Sequence, residues 1–222
     1  MIFIMDNDVL KRIDVLSEFI TDGKKARIEE VLSRRTNYLT FVLEDIVQSH
    51  NASATIRTGE ILGLSDIYVI DKNNKYTLNP DITLGSSQWI NLNKYKNAKF
   101  AIDRLKSDGY SIVATSLSEQ SVNLENFPIN NKMAVFFGTE LTGLSSEVLE
   151  AADLCIKIPM YGFTQSYNIS VAVAIVMYSL LIRLRESGVD YLLNEVEKSN
   201  LRLKYYRQVV KNYQIIENLI KF

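Results

Sequence analysis

The chain contains 222 residues, enough for one domain with a sizeable core or for a domain with helical extensions. Hydrophobic residues make up 47% and charged residues 23%, as in ordinary globular proteins. The longest apolar run, residues 171–182, is shorter than the roughly 20 residues of a transmembrane helix. The N-terminus, with Asp6 and Asp8, lacks the basic start of a signal peptide. We therefore expect a cytoplasmic protein with no membrane segment.

Cysteine and histidine occur once each, as Cys155 and His50. This excludes an internal disulfide and argues against a zinc site or a Ser/His/Asp triad, so we expect no metal. No G-x-G-x-x-G follows the first predicted strand, which leaves a dinucleotide site unsupported. Gly138 and Gly143 have the spacing of a P-loop, but the required lysine is missing, which argues against ATP hydrolysis.

The net charge is −1, yet basic residues concentrate near both ends of the chain. Such a distribution is typical of a protein that grips an anionic polymer with its extensions. It is equally typical of the solvated faces of two helices, and the pattern alone does not decide between them. The N-terminal cluster contains Lys24, Lys25, Arg27, Arg34 and Arg35, and the C-terminal cluster contains Lys198, Arg202, Lys204, Arg207 and Lys211.

Apolar spacing of three and four residues predicts a helical N-terminal segment over 6–33, with a break at Asp22-Gly23. The same spacing predicts a final amphipathic helix that runs from Gly188 towards the end of the chain. Between them, strands and helices alternate. The predicted strands are 39–43, 67–70, 111–114, 133–137 and 154–158, the predicted helices are 51–62, 96–107, 145–151 and 168–186, and 71–79 is a predicted loop.

The predicted strands are apolar throughout and alternate with helices, which indicates an α/β fold. We expect a mostly parallel sheet with helices on both faces. This α/β domain would span residues 37–188. Residues 1–36 and 189–222 would form helical extensions.

The stretch from residue 50 to residue 58 reads HNASATIRT and lies on a predicted helix. On that helix Asn51, Ala54 and Thr58 would share one face, with Arg57 beside them. Taken alone, Arg57 reads more readily as a surface arginine than as a functional group.

Two further stretches have the residue types of a ligand-binding loop. Residues 137–145 read FGTELTGLS, and glycines allow the backbone to approach a flat ligand closely. Residues 158–172 read IPMYGFTQSYNISVA and join a predicted strand to a predicted helix. A polar turn at such a junction presents free N–H groups to a ligand.

In this order the three stretches resemble the three motifs of the SpoU/TrmH family of RNA ribose 2′-O-methyltransferases. The resemblance covers about residues 24–188 and implies a C-terminal trefoil knot, a homodimer and S-adenosylmethionine as the methyl donor. It implies that Arg57 is catalytic, as general base or as electrostatic stabiliser of the 2′-oxygen, and that Asn51, Glu140, Ser166 and Asn168 complete the active site. It assigns Thr115, Gly138, Ile158 and Tyr167 to the cofactor, although Tyr167 stands where the family has Leu.

Within that family, residues 27–35 and 85–89 look closest to the branch that methylates guanosine 18 in the tRNA D-loop. That resemblance implies tRNA as the partner and places tRNA phosphates on Arg27, Arg34 and Arg35 and on Arg202, Lys204 and Arg207 of the C-terminal helix. Two alternatives remain open. One is the same chemistry on another tRNA nucleotide or on rRNA, and the other is a non-catalytic RNA-binding protein that retains the fold.

Overall fold

The computed structural model of the protein describes residues 6–73 and 76–219. These residues divide into two compact units, one formed by the described parts of Met1–Thr36 and Leu192–Phe222, the other by Asn37–Tyr191. None of the described helices combines the length and apolarity needed to cross a bilayer.

The larger unit is built on one parallel sheet, to which the described residues contribute seven strands in the order β3-β2-β1-β6-β4-β7-β5. Every neighbouring pair of strands runs parallel. The expected parallel α/β architecture is therefore confirmed. The strands are β1 (Leu39–Glu44), β2 (Asp66–Ile70), β3 (Asn91–Tyr95), β4 (Ser111–Thr115), β5 (Val122–Asn123), β6 (Met133–Phe137) and β7 (Leu154–Lys157).

Helices cover both faces of this sheet, because its central strands are apolar on both sides. Phe41 and Leu43 of β1 belong to the core beneath α3 and α7, whereas Val42 belongs to the core beneath α5 and α6. Strands β1 and β6 are buried at every position. The helices of this unit are α3 (Ser49–Leu62), α4 (Pro80–Thr83), α5 (Ala98–Ser107), α6 (Ser146–Ala151) and α7 (Ile169–Glu186).

Among the described residues of this unit, five short elements have no counterpart in the sequence prediction. Strand β3 reads NLNKY and lies at the edge of the described sheet, where a polar sequence is tolerated. It therefore lacks the apolar run that predicts β1, β2, β4, β6 and β7. The remaining four are β5, α4, the 3₁₀ turn Ser86–Trp89 and the 3₁₀ turn Leu124–Asn126.

The described part of the smaller unit contains four helices: α1 (Asn7–Ser17), α2 (Asp22–Leu32), α8 (Glu195–Val209) and α9 (Tyr213–Asn218). The break predicted at Asp22-Gly23 is present but lies earlier, between Ser17 and Asp22. Asp22 opens α2, where its carboxylate suits the helix dipole. The predicted single C-terminal helix is wrong. It is two helices, because Asn212 adopts a left-handed conformation, with φ 54°, that no α-helix can include.

A buried carboxylate, Glu217, joins three helices of the smaller unit. It accepts hydrogen bonds from Arg207 at 2.7 and 2.9 Å and from Arg12 at 3.0 Å. Burial alone would raise the pKa of Glu217, but the hydrogen bonds and charges of Arg207 and Arg12 outweigh it and lower that pKa below its ordinary value. Helix α9 is thus held to α1 and α8 by an ionised group.

We expect Glu217→Ala to lower the free energy of unfolding at pH 7 by about 1–3 kcal/mol, because two arginines lose their buried acceptor. A carboxyl whose pKa is lowered by folding stabilises the fold above its unfolded pKa, and that stabilisation is lost as pH falls through the folded pKa. Thermal unfolding at a series of pH values should therefore show the gap between wild type and variant closing below about pH 4. Glu18→Ala, at the exposed residue that directly follows α1, is the charge-matched control. A gap of constant size down to pH 3 would contradict this account.

Candidate active site

A cleft of about 510 Å³ opens where β4, β6 and β7 end. The carboxyl ends of parallel strands meet at one edge of a sheet, which is where α/β proteins bind their ligands. Thr115, Phe137 and Lys157, the last residues of these three strands, all line the cleft. Its volume is that of a site for a small organic molecule.

One carboxylate oxygen, Oε1 of Glu140, connects the three sequence motifs beside this cleft. It accepts hydrogen bonds from Nδ2 of Asn51 and from Nδ2 of Asn168, both at 3.2 Å. It also accepts the backbone N–H of Ile169 at 3.3 Å. Residues far apart in the chain are thereby fixed side by side.

The two asparagines also hydrogen-bond to each other and to residues at the start of their own helices. Asn168 Nδ2 donates to Asn51 Oδ1 at 3.1 Å, and the second hydrogen of Asn51 Nδ2 meets Gln48 Oε1 at 3.0 Å. Asn168 Oδ1 caps α7 by accepting the backbone N–H of Ser170 at 2.9 Å. The network is hydrogen-bonded throughout, which fixes the orientation of both amides.

The loop from Gly138 to Ser145 forms one wall of the cleft, and its shape requires glycine. A side chain on Gly138 would place Cβ 2.2 Å from the backbone carbonyl of Gly143, a distance that no folded chain accommodates. Gly143 has φ 69° and pairs with Thr139 through two backbone hydrogen bonds of 3.0 and 3.1 Å. The loop is therefore a tight antiparallel turn.

The opposite wall contains polar groups that are available to a ligand. Gln165, Ser166 and Tyr167 line the cleft and are exposed. Across residues 6–73 and 76–219, no hydrogen bond, ion pair or ring contact involves any of these three residues. Their backbone N–H groups and side chains can therefore bind a ligand without breaking an existing contact.

The four residues expected at the cofactor, Thr115, Gly138, Ile158 and Tyr167, all line this one cleft. The hydroxyl of Thr115 already donates to the carbonyl of Phe136 at 2.8 Å, so it also ties β4 to β6. Glu140 and Ser166 line the cleft as well. Asn51 and Asn168 adjoin it through Glu140.

Arg57 stands apart from this group. It lies six residues beyond Asn51 on α3, about 9 Å along the helix axis, and does not line the cleft. Its side chain is exposed and, within the described part of the chain, forms no hydrogen bond or ion pair. The guanidinium is thus free to meet a substrate that reaches the cleft from the side of α3.

The six arginines and lysines expected to bind RNA all lie in the smaller unit. They differ in exposure and in the carboxylates with which they pair. Arg27 lies on α2, Arg34 lies just after it, and both are exposed. Both side chains pair with Glu30, and the hydrogen bond from Arg27 lowers the pKa of Glu30. Arg202 makes two hydrogen bonds to Glu29, and Arg207 makes two to Glu217. Lys204 is half-buried.

Arg35 is 1% exposed, and its guanidinium lies 6.0 Å from the ring centre of Tyr205. It cannot reach a phosphate in this conformation. Its place beside Arg34 in a basic cluster predicts an RNA contact, and the local sequence gives no sign of its burial.

Two residues of the site were not anticipated from the sequence. Gln48 holds Asn51 from the turn before α3, and Glu44 accepts two hydrogen bonds from Ser145. A signal for Glu44 existed, since a glutamate follows the apolar run of β1 without a break.

The sequence model of the SpoU rRNA Methylase family matches residues 38–178, which include all three motifs. The chain belongs to this family. It is 85% identical to the tRNA (guanosine(18)-2'-O)-methyltransferase of Borreliella burgdorferi, over 97% of this chain and 99% of that protein. The crystal structure of the A. aeolicus TrmH/SpoU tRNA modifying enzyme matches with a TM-score of 0.76 and 34% identity, over 89% of this chain and 100% of that one.

The SpoU fold is also shared with an AdoMet-bound rRNA methyltransferase from Sinorhizobium meliloti. That match has a TM-score of 0.60 and 22% identity, over 71% of this chain and 60% of that one. At this identity the likeness concerns the fold.

Proposed function

We propose that this SpoU family member transfers a methyl group from S-adenosylmethionine to the ribose 2′-hydroxyl of guanosine 18 in the tRNA D-loop. The observation that carries the proposal is the network in which Glu140 joins Asn51 and Asn168 beside a cleft of suitable size. The target nucleotide is supported by the printed function of the 85% identical relative. An intact network argues against a non-catalytic RNA-binding protein, because a protein without catalysis has no need of it.

The cleft fits S-adenosylmethionine in volume and in chemistry. A flat heterocycle can lie against the glycine turn at Gly138 and the apolar Ile158, while the unused N–H groups of residues 165–167 can receive polar ligand atoms. When bound, the cofactor would supply the electrophilic methyl group. Glu140 and Asn168 would hold the two walls at a fixed separation, so that the reacting oxygen meets the methyl group in one geometry.

We assign Arg57 to the substrate 2′-oxygen. Guanidinium normally cannot accept a proton, and the Arg57 side chain is exposed to solvent. Its positive charge can stabilise the oxygen as negative charge develops during methyl transfer. We therefore favour electrostatic stabilisation over general-base catalysis.

We also propose a homodimer that works in the cytoplasm, where its tRNA substrate is found. Support for a dimer comes from large side chains left exposed near the cleft, among them Tyr161, Phe163, Val171 and Tyr178. Residues 37–188 would form the methyltransferase domain, and residues 1–36 and 189–222 would contact tRNA. The trefoil knot stays a prediction from the family resemblance.

Methyl transfer from labelled S-adenosylmethionine to an unmodified tRNA transcript, with mapping of the methylated nucleotide, tests the proposed function. We expect methylation at guanosine 18, and we expect Arg57→Ala to lower the rate about 100- to 1,000-fold while cofactor affinity is retained. Arg104→Ala, at an exposed arginine of α5, is the matched control. Methylation of another tRNA nucleotide or of rRNA alone would overturn the target, and folded protein that binds no S-adenosylmethionine would overturn the enzyme.

Arg27 and Arg34 both pair with Glu30. Substitution of the two arginines and substitution of the glutamate should therefore change tRNA binding in opposite directions. Replacing both arginines by alanine should raise the Kd for tRNA and reduce the salt dependence of binding by about one counterion for each arginine. Glu30→Gln removes the carboxylate that competes with phosphate for both arginines, so it should tighten tRNA binding. Filter binding over a range of salt concentrations measures both effects. An unchanged salt slope in the double variant would show that α2 does not contact tRNA.

A further inference from the structure

Glu44, the last residue of β1, is a buried carboxylate to which neither the motifs nor the proposed mechanism gives a role. It is 7% exposed. Its Oε1 accepts the hydroxyl of Ser145 at 2.7 Å, and its Oε2 accepts the backbone N–H of the same residue at 2.9 Å. A buried carboxylate is costly unless it is hydrogen-bonded. Both oxygens of this one are used to fix a single residue.

Ser145 is the point at which the cleft-lining loop ends and α6 begins. Its hydroxyl oxygen accepts the N–H of Val148 at 3.4 Å as the cap of α6. Gly143 and Leu144, which directly precede it, line the cleft. Any shift of Ser145 therefore moves the cleft wall.

The loop is thus held at two positions by two carboxylates that come from different directions. Glu140, within the loop, accepts hydrogen bonds from Asn51 and Asn168. Glu44, at the end of β1, accepts two hydrogen bonds from Ser145 at the end of the loop. The first contact aligns the loop with the side of α3, and the second sets the distance between the glycine turn and the sheet.

We propose that Glu44 is a positioning residue for the cofactor: acting through Ser145, it holds residues 138–145 in the shape that binds S-adenosylmethionine. The inference rests on the proposed function and adds to it a residue outside the three motifs. Glu44 acts at the cofactor wall, so its loss should affect cofactor binding more than tRNA binding.

The chain offers a matched control in Asp153. Its carboxylate also accepts a backbone N–H, that of Ile112 at 2.7 Å, but it does so near the start of β4. The cleft lies at the other end of that strand, at Thr115. Asp153→Ala therefore removes a comparable contact from the same sheet without touching the loop.

The test compares Glu44→Ala, Glu44→Gln, Ser145→Ala and Asp153→Ala in the full chain. Calorimetry gives the Kd for S-adenosylmethionine, steady-state kinetics gives both KM values, and thermal unfolding gives stability. Glu44→Ala should raise the cofactor Kd and KM at least about tenfold and leave the KM for tRNA within about twofold. Ser145→Ala should act in the same direction but less, because the backbone N–H remains. Glu44→Gln should restore part of the affinity, since its amide oxygen still accepts that N–H.

Asp153→Ala should lower the melting temperature and keep the wild-type cofactor Kd. If Glu44→Ala also loses stability but keeps the wild-type cofactor Kd, Glu44 supports only the fold and the inference is wrong. The inference is equally wrong if Glu44→Ala does not fold while Glu44→Gln and Ser145→Ala both bind cofactor like wild type. Wild-type protein that neither binds S-adenosylmethionine nor methylates tRNA would instead refute the proposed function itself.

Discussion

The arrangement of this site depends on one acceptor, the Glu140 carboxylate. One of its oxygens receives three N–H groups, from the Asn51 and Asn168 amides and from the backbone at the start of α7. A carboxylate only accepts hydrogen bonds. A glutamine at this position would, in one of its two amide orientations, turn its own N–H groups towards these three donors. The charge also suits the N-terminus of α7, where the helix dipole is positive. These requirements together explain why the loop carries Glu at this position.

The parallel sheet makes this contact possible. Strands β1, β6 and β4 lie side by side, so the segments that follow them reach the same edge. Helix α3 with Asn51 follows β1, the glycine turn follows β6, and Thr115 ends β4. The site is therefore a consequence of strand order, and the buried strands beneath it supply the rigid support that a precise geometry requires.

Sequence reasoning recovered the parts of the molecule in which local pattern and tertiary environment agree. Apolar strands such as β1 and β6 were recognised because both of their faces are buried. The polar edge strand β3 and the break at Asn212 were not, since neither leaves an apolar signature. In the site, the motifs identified Asn51 and Glu140, but their hydrogen bond spans 89 residues and has no local signal. The buried Arg35 likewise lies near Tyr205, which is distant in the chain, so no local pattern indicates its burial.

The most direct test of this account is a double-mutant cycle between Glu140 and Asn51, measured as kcat/KM for methylation of tRNA. If the two side chains act as one unit, Glu140→Ala and Asn51→Ala should each lower kcat/KM, and the double variant should be hardly worse than the poorer single variant. If the two losses instead multiply, to within about 0.5 kcal/mol of additivity in activation free energy, the residues act independently and the network described here does not organise the site.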